Sequence, residues 1–336
     1  MALRVGINGF GRIGRLVFRM LWGRVGFQVV KVNDLVAPEV LANLLKFDSV
    51  HGIFNPPVRA EGEDMVVGGD QTVFVSQEKD PGDIAWDPDV DVVIEATGHF
   101  RKPEDAKRHL GGSVGHVLIS APAKGGKPDA SIVMGVNHEA FDPKQHRIVD
   151  VASCTTNCFA PMVKVLLDRF GIERGLMTTI HAYTNDQRIL DLAHSDLRRA
   201  RAAGINMIPT STGAAKASIK IFPELEGRLN ALSIRVPVVD GSLVDFTADL
   251  GSEVSVDEVN AAFAAAANNP PLRSVMAYGT DPFVSTDIIG RTESCIIDSL
   301  LTQAIGNQVK VFGWYDNEAG YSARMVDVLN LIAAGR

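Results

Sequence analysis

Two cysteines four residues apart stand in the segment SCTTNC, residues 153–158, of a chain that contains only three cysteines. Such a pair has three chemical interpretations: a disulfide, two ligands of a metal site, or one reactive thiol beside an inert neighbour. Ser153 is a residue type that commonly caps a helix, so Cys154 is expected in the first helical turn. There the positive end of the helix dipole is expected to lower the pKa of the thiol, which favours a reactive Cys154.

Cys158 lies one turn further along the predicted helix, where the apolar stripe of FAPMVKVLLDRF begins. Side chains at positions i and i+4 of a helix project side by side and are poorly oriented for a disulfide. We therefore interpret Cys158 as a small buried apolar residue, or at most a redox accessory. The spacings HExxH and CxxC, typical of metal sites, are absent from the sequence, and we expect no dedicated metal site.

His181, in the apolar run LMTTIHAY, is the natural candidate for a base that activates the thiol. A lone histidine in a strand is more often a buried structural residue, and this alternative stays open from its position alone. Residues that bind anions are dense in the same part of the chain, although a solvated polar loop has a similar composition. These residues are Thr184, Arg199, Thr212, Gly213 and Arg235.

The segment GFGRIG, residues 9–14, follows an apolar strand pattern and opens a helical pattern. In this context it predicts a dinucleotide site, since Gly9 and Gly11 let the backbone approach a pyrophosphate. The following helix start offers its amides to that group, at Arg12, Ile13 and Gly14. Asp34 ends the next strand, 20 residues beyond Gly14, where a carboxylate binds ribose hydroxyls and repels a 2′-phosphate. The sequence therefore favours NAD over NADP.

The elements that position these residues change in character along the chain. Short apolar strand patterns alternate with helical ones over the first 150 residues, including DVVIEAT, HVLIS and ASIVMG. This alternation predicts an α/β domain with a parallel sheet. Beyond residue 158 the strand patterns are longer, as in LNALSIRVPVV and SLVDFTADL, and helices are fewer. We expect an α+β domain with a mostly antiparallel or mixed sheet there.

Composition narrows the class of protein. The chain has 336 residues and a net charge of −7, so no overall field attracts nucleic acid or acidic lipid. No apolar run approaches the roughly 18 residues of a membrane span, and the beginning lacks the pattern of a signal peptide. Few cysteines, in an odd number, are typical of a reducing compartment. We expect a cytoplasmic protein that binds neither nucleic acid nor a membrane.

Taken together, GINGFGRIGR, SCTTNC, HAYTNDQR, LRRARAA, PTSTGAAKA and WYDNEAGYS resemble the phosphorylating glyceraldehyde-3-phosphate dehydrogenases of bacteria. The resemblance covers essentially the whole chain. It implies a Rossmann-type NAD domain over residues 1–153, completed by a C-terminal helix at 318–336, and a catalytic domain over 154–317. It also implies a homotetramer, in which the loop 185–201 packs near a neighbour's cofactor.

The resemblance further implies that Cys154 is the nucleophile and His181 the base in the oxidation of glyceraldehyde 3-phosphate. A hemithioacetal would give a thioester that inorganic phosphate cleaves to 1,3-bisphosphoglycerate. By the same resemblance Lys79 lies near the adenine, Ser120 near the nicotinamide, and Asn317 binds the carboxamide. The implied phosphate-binding residues are Ser153, Thr155, Thr184, Arg199, Thr212, Gly213 and Arg235.

Two positions depart from the family pattern. Ala193 stands where NAD-dependent members commonly have a proline that excludes NADP, and Ala319 replaces a bulkier residue. Some use of NADP is therefore expected, although Asp34 should dominate the preference. Two alternative functions remain: an erythrose-4-phosphate dehydrogenase, and a non-catalytic NAD-sensing protein on the same scaffold.

Overall fold

A computed structural model describes residues 2–86 and 89–335. The chain divides into two compact units. Unit 1 consists of Met1–Ile132, Glu139–Ala152 and Ser322–Arg336, and unit 2 of Val133–His138 and Ser153–Tyr321. The ends of the predicted domain ranges, residues 1 and 336, lie outside the described residues, as do residues 87–88.

Unit 1 alternates strands with helices. Its strands are Leu3–Asn8 (β1), Phe27–Asn33 (β2), Phe47–Asp48 (β3), Gly52–Ile53 (β4), Val58–Glu61 (β5), Asp64–Val67 (β6), Gln71–Ser76 (β7), Val92–Glu95 (β8), His116–Ile119 (β9), Ala130–Ser131 (β10) and Ile148–Asp150 (β11). Its α-helices are Arg12–Leu21 (α1), Pro38–Lys46 (α2) and Pro103–Ala106 (α3).

The main sheet of unit 1 has the strand order β10-β11-β9-β8-β1-β2-β7-β6-β5. Strands β10 to β7 of this order pair in parallel, and β6 and β5 add an antiparallel edge. The central strands are mostly apolar and buried, with VVI in β8 and VLI in β9, as expected for a parallel sheet covered on both faces. The predicted α/β fold with a parallel sheet is confirmed. The antiparallel β5–β6 pair, in which β5 alternates in exposure and β6 is mostly buried, was not predicted.

One strand prediction in this region is wrong. ASIVMG was expected to form a strand over 130–135, but pairing ends at Ser131. The N–H of Val133 donates to Asn137 Oδ1 at 2.7 Å instead of joining the sheet. Gly135 then takes a φ of +80°, in the left-handed region that favours glycine. The chain therefore turns where the apolar composition alone suggested an extended strand.

Unit 2 is built from longer strands. They are Ile172–Ala182 (β12), Ile208–Ser211 (β13), Leu229–Val236 (β14), Ser242–Leu250 (β15), Met276–Gly279 (β16), Cys295–Asp298 (β17), Gln303–Ile305 (β18) and Gln308–Tyr315 (β19). Its α-helices are Cys154–Phe170 (α4), Ala214–Ile221 (α5) and Val256–Asn268 (α6). The last helix, Ala319–Ala334 (α7), begins in unit 2, continues in unit 1 and lies within the predicted range 318–336.

The unit 2 sheet has the order β13-β14-β12-β15-β19-β17-β16, with β18 paired to β19. Antiparallel pairs predominate, while β12 with β14 and β16 with β17 are parallel, so the predicted mixed sheet is confirmed. Helix α4 packs its apolar stripe against this sheet, and the rings of Phe159 and Phe246 meet edge to face at 4.8 Å. No helix among the described residues is long and apolar enough to span a bilayer.

Candidate active site

The glycine segment of unit 1 connects β1 to α1 under tight steric limits. Gly9 has a φ of +90°, and a Cβ there would lie 2.5 Å from the backbone nitrogen of Thr97. A Cβ at Gly14 would lie 2.3 Å from the carbonyl oxygen of Gly9. Real Cβ atoms do not approach backbone atoms so closely, so both positions require glycine for the turn and its close packing.

Gly11 differs from these two, because a Cβ there would meet no protein atom within 4 Å. It caps α1 with no side-chain hydrogen bond, and no acidic residue stands in the first turn. The helix start thus combines open space beside the backbone with the positive end of the dipole. These features fit an anionic pyrophosphate of a dinucleotide. The Arg12 side chain is directed elsewhere and forms an ion pair with Asp48.

Asp34 lies beside the glycine segment, beyond the end of β2. Its Oδ2 accepts the N–H of Phe10 at 2.7 Å, and its Oδ1 accepts the N–H of Leu35 at 2.7 Å. It lines a cavity of unit 1 together with Gly9, Gly11 and Lys79. Ser120, predicted near the nicotinamide, follows β9 and donates its N–H to the carbonyl of Glu95.

A buried polar network that sequence reasoning missed lies at the carboxyl ends of the parallel strands. Asn8 Nδ2 donates to Glu95 Oε2 at 2.6 Å, and Asn33 Nδ2 donates to Asn8 Oδ1 at 2.9 Å. Trp86 Nε1 donates to His109 Nδ1 at 3.1 Å, so Nε2 carries the proton of a neutral ring and donates to Glu95 at 3.0 Å. The N–H of Thr97 also donates to Glu95, and Thr97 lines the cavity. Asn8, Asn33 and Thr97 line the cavity, so the hydrogen bonds of the network hold part of the cavity wall in place.

In unit 2, the thiol lies at the start of a helix, as predicted. Ser153 caps α4, and its hydroxyl accepts the N–H of Thr156 at 3.1 Å. Cys154, the first residue of α4, has its Sγ 3.5 Å from Nε2 of His181 near the end of β12. These residues are 27 positions apart in the sequence. The predicted pairing of thiol and imidazole is thus present in the folded chain.

The expected lowering of the thiol pKa is wrong for this structure. Burial raises the pKa of Cys154, and the opposing effects of the Arg235 guanidinium and the Thr155 N–H do not cancel that rise. The favourable field of the helix start is therefore outweighed by lost hydration. Burial, with Arg235 and Arg199 nearby, lowers the pKa of His181 to about 3. The pair consists of a neutral thiol beside a neutral imidazole.

The tautomer of His181 follows from its contacts. Nδ1 lies 2.6 Å from the carbonyl oxygen of Ala182 and 2.9 Å from Nη1 of Arg235. The carbonyl is the closer partner and can only accept, while Nη1 of Arg235 already donates to the same carbonyl, so we assign the ring proton to Nδ1. Nε2 then presents its lone pair toward Sγ of Cys154, as a base requires. The ring also meets the edge of Tyr315 at 5.9 Å. The imidazole is buried and held from two sides.

Arg235 and Arg199 place positive charge near the imidazole. Arg235 pairs directly with His181 across the parallel strands β12 and β14, and its Nη1 donates to the Ala182 carbonyl at 3.1 Å. The buried Nε of Arg235 makes no hydrogen bond. An unsatisfied buried donor on a guanidinium is a feature that an anionic ligand would complete. Arg199 forms an ion pair with Asp186 and donates to Thr210 Oγ1 at 2.9 Å.

The remaining predicted phosphate residues differ in their surroundings. Thr184 binds Gln187 Oε1 through its N–H at 2.7 Å. The hydroxyl of Thr212 accepts the N–H of Ala214 at 3.3 Å. Gly213 caps α5 without a side-chain hydrogen bond. Thr155 is buried, with its hydroxyl 2.9 Å from that of Tyr315, so its side chain is already satisfied within the protein.

Asn317, in the turn between β19 and α7, is buried in unit 2. Its Oδ1 accepts a hydrogen bond from the hydroxyl of Ser242 at 2.6 Å. That hydroxyl in turn accepts the N–H of Ala182 at 3.1 Å. Ser242 was not recognised in the sequence, since a serine at a strand start carries no local signal.

Cys158 is fully buried, and its Sγ lies 3.4 Å from the carbonyl oxygen of Gly313. Burial, together with the neighbouring thiol of Cys295, raises the pKa of Cys158 well above its ordinary value. All three cysteines are free. The two cysteines of SCTTNC are therefore unequal, as the sequence predicted: one contacts a histidine, and the other packs in the core.

Comparisons with known proteins cover both units. The sequence model of "Glyceraldehyde 3-phosphate dehydrogenase, NAD binding domain" matches residues 3–103, and that of the "C-terminal domain" matches residues 153–317. The chain is 54% identical to glyceraldehyde-3-phosphate dehydrogenase of Geobacillus stearothermophilus over 99% of both chains. It is 54% identical to glyceraldehyde-3-phosphate dehydrogenase 1 of Bacillus cereus over 97% of both, and 52% identical to the Streptomyces coelicolor enzyme over 98% of both.

Proposed function

Because the chain belongs to the glyceraldehyde-3-phosphate dehydrogenase family, we propose that it oxidises glyceraldehyde 3-phosphate with NAD⁺ and inorganic phosphate to 1,3-bisphosphoglycerate. It is an NAD-dependent oxidoreductase that acts on an aldehyde. The observation that carries the detailed mechanism is the 3.5 Å approach of Cys154 Sγ to His181 Nε2, with Arg235 beside the imidazole.

The first step is the attack of Sγ of Cys154 on the aldehyde carbon. The S–H proton passes to the lone pair of His181 Nε2 and then to the former carbonyl oxygen, which gives a neutral hemithioacetal. The developing oxyanion would accept the N–H of Cys154 at the start of α4. A neutral imidazole suits this role, and burial keeps it neutral at physiological pH.

The second step converts the hemithioacetal to a thioester. When bound, NAD⁺ supplies the acceptor for the hydride that leaves the substrate carbon. His181 Nε2 removes the hydroxyl proton as the C=O bond forms again. A phosphate oxygen then attacks the thioester carbon, the C–S bond breaks, and Sγ takes its proton back from His181. The products are the acyl phosphate and the restored thiol.

Substrate and cofactor roles are assigned by matching chemistry. Arg235 and Thr184 would bind the phosphate of the triose. Inorganic phosphate would bind at a group of hydroxyls, amides and a guanidinium: Ser153, Thr155, Arg199, Thr212 and Gly213. The Thr155 hydroxyl would have to leave Tyr315 for this, so we expect its contribution to come through the backbone.

For the cofactor, the open backbone at Gly11 and the uncapped start of α1 support pyrophosphate binding by Gly9, Arg12, Ile13 and Gly14. Asp34 would bind the ribose hydroxyls, and Lys79 would lie at the adenine. Asn317 would bind the nicotinamide carboxamide, with Ser120 near the same ring. The absence of a side chain at Gly11 is the feature that a dinucleotide explains best.

The test is NADH production from glyceraldehyde 3-phosphate as a function of added phosphate or arsenate, with erythrose 4-phosphate as the competing aldehyde. We expect turnover that depends on phosphate and a higher kcat/KM for the triose. Faster oxidation of erythrose 4-phosphate would assign the chain to that activity instead. NAD binding without oxidation of either aldehyde would indicate a non-catalytic sensor.

We also propose a homotetramer, because single subunits leave large apolar side chains in water. Leu176, on the sheet of unit 2, is 69% exposed, and the loop 185–201 exposes Ile189 and Leu197 to 91% and 82%. Several large apolar side chains exposed in one loop are typical of a subunit interface. Light scattering should give four times the subunit mass, and a monomer at micromolar concentration would contradict this proposal.

Three free thiols fit a reducing cytoplasm.

A further inference from the structure

Ser242, the first residue of β15, is a fully buried serine between two parts of the proposed active site. Its Oγ accepts the backbone N–H of Ala182 at 3.1 Å. It donates its single hydrogen to Oδ1 of Asn317 at 2.6 Å. Neither the motifs nor the roles assigned above include this residue. Its two hydrogen bonds nevertheless connect Ala182, which follows the base His181, to Asn317, which is proposed to bind the cofactor.

The Asn317 side chain is an amide, so a half-turn about its last bond exchanges a donor for an acceptor. A hydroxyl has only one hydrogen, and the hydroxyl of Ser242 donates this hydrogen to Oδ1 of Asn317. With Oδ1 engaged, Nδ2 is the group that remains, and none of the hydrogen bonds of the described residues involves it. The amide is thereby fixed with its N–H groups available and its oxygen occupied.

The other hydrogen bond holds the peptide that follows His181. The carbonyl of Ala182 accepts from Nδ1 of His181 at 2.6 Å, while the N–H of Ala182 donates to Ser242. The contact with Nδ1 sets the tautomer in which Nε2 faces the thiol. Displacement of the Ala182 residue would therefore disturb the base as well as the amide. One buried hydroxyl supports both groups.

We propose that Ser242 is a positioning residue: it fixes the Asn317 amide so that Nδ2 donates to the carboxamide oxygen of the nicotinamide, and it keeps this amide in register with His181. This inference rests on the proposed function, since Asn317 as the carboxamide ligand is part of that proposal. A carboxamide held by a donor in one orientation presents a single face of the pyridine ring to the substrate carbon. Ser242 thus contributes to which face receives the hydride.

The principal variant is Ser242→Ala, which removes one oxygen and adds no atoms. Loss of a buried hydrogen bond from an amide that must be oriented should raise the KM for NAD roughly tenfold. With an aldehyde deuterated at C1, NMR of the NADH formed should show deuterium at one C4 position for the wild type. For the variant, a measurable fraction should appear at the other C4 position.

Ser233→Ala is the matched control. Ser233 is also a buried serine on a strand of the same sheet, and its hydroxyl makes no hydrogen bond. It reports the effect of removing a buried hydroxyl without removing a positioning contact. Ser242→Thr retains the hydroxyl and should restore a wild-type deuterium distribution. Thermal unfolding of each variant identifies any general loss of structure.

A double-mutant cycle with Asn317→Ala supplies a second criterion. If Ser242 acts through Asn317, Ser242→Ala should change the dissociation constant of NAD little in the Asn317→Ala background. The dissociation constant of NAD is measured by ligand binding, so this criterion applies even to variants that turn over slowly. The inference would be overturned if Ser242→Ala and Ser233→Ala gave the same KM for NAD and the same deuterium distribution. It would also be overturned if the effects of Ser242→Ala and Asn317→Ala on NAD binding were additive. A wild-type chain that fails to reduce NAD with the triose would instead refute the proposed function.

Discussion

The two units prepare their sites in different ways. In unit 1 the proposed dinucleotide site would use backbone groups from one contiguous segment, residues 9–14, plus the carboxylate of Asp34, which accepts the N–H of Phe10. In unit 2 the proposed active site gathers side chains from α4, β12, β14, β15 and the turn after β19. The first arrangement depends on where side chains are missing, and the second on where they converge. Substitutions in the two units should therefore affect different steps of the reaction.

The two units also differ in what sets the charge of their buried ionisable groups. In unit 1, burial would raise the pKa of Asp48, but the N–H groups of His51 and Val50 and the Arg12 guanidinium lower it to about 2. That carboxylate stays charged because it is fully paired. In unit 2, burial dominates at Cys154 and His181 and keeps both neutral. A neutral pair can exchange a proton during the reaction, whereas a paired carboxylate stabilises the fold.

The largest effect is expected for Cys154→Ser. Oxidation of the triose should fall by about 10⁴-fold or more, because a serine hydroxyl is a far weaker nucleophile without further activation. NAD binding, measured by titration, should stay within about threefold, since a Cys-to-Ser change removes no group assigned to the dinucleotide. Cys295→Ala is the control thiol variant and should keep its activity. Loss of NAD binding in Cys154→Ser would break the division between the two units.

His181→Asn should lower kcat by roughly 10²–10⁴-fold, the usual contribution of a general base. Because the pKa of His181 is lowered to about 3, its neutral form persists as pH falls through the neutral range. The kcat/KM of the wild type should therefore show no loss from imidazole protonation between about pH 5 and 8. An inflection near pH 6.5 that disappears in His181→Asn would contradict this electrostatic account.

Asp34→Ala tests the dinucleotide side of the comparison. Removing the carboxylate removes its repulsion of a 2′-phosphate, and the ratio of kcat/KM for NADP to that for NAD should rise about tenfold or more. The activity with NAD should fall mainly through KM. An unchanged ratio would assign the preference to the loop around Ala193, for which Ala193→Pro is the complementary variant.

The smallest effect concerns stability. Asp48→Asn should reduce the free energy of unfolding by about 1–2 kcal/mol at pH 7, since the pKa of Asp48 in the folded chain, about 2, lies below the ordinary value of 3.8. A lowered pKa contributes stability that is present above the unfolded value and is lost as pH falls through about 2. The difference between wild type and variant should therefore shrink below pH 4. A constant difference down to pH 2 would show that the ion pair is not its source.

Sequence reasoning succeeded where the signal is local. The helix after the glycine segment, the cap at Ser153 and the last helix, Ala319–Ala334, depend on neighbouring residues, and the structure has them close to where the sequence predicts them. Sequence reasoning failed where a pKa or a strand pairing depends on distant parts of the chain. The pKa of Cys154 is set by burial in the folded chain and by charged groups distant in sequence, such as Arg235, which no property of SCTTNC reveals. The β5–β6 pair was missed because only β5 alternates in exposure, while β6 is mostly buried.

Ser242 and Glu95 illustrate the same limit within the two sites. Each acquires its role from partners that are remote in sequence: Asn317 is 75 residues from Ser242, and Asn8 is 87 from Glu95. Apolar periodicity locates both strands but says nothing of a polar contact at their ends. Residues that position the side chains of a site through hydrogen bonds are therefore recognised only in the folded chain.

The most direct test of the central claim is to mix the enzyme with NAD⁺ and glyceraldehyde 3-phosphate in the absence of phosphate, quench the reaction and map the acylated peptide by mass spectrometry. The account predicts a burst of up to one NADH per subunit and an acyl group on Cys154, with none on Cys158 or Cys295, and release of that group when phosphate is added before the quench. A burst with Cys154 unmodified, or acylation of a different residue, would contradict it.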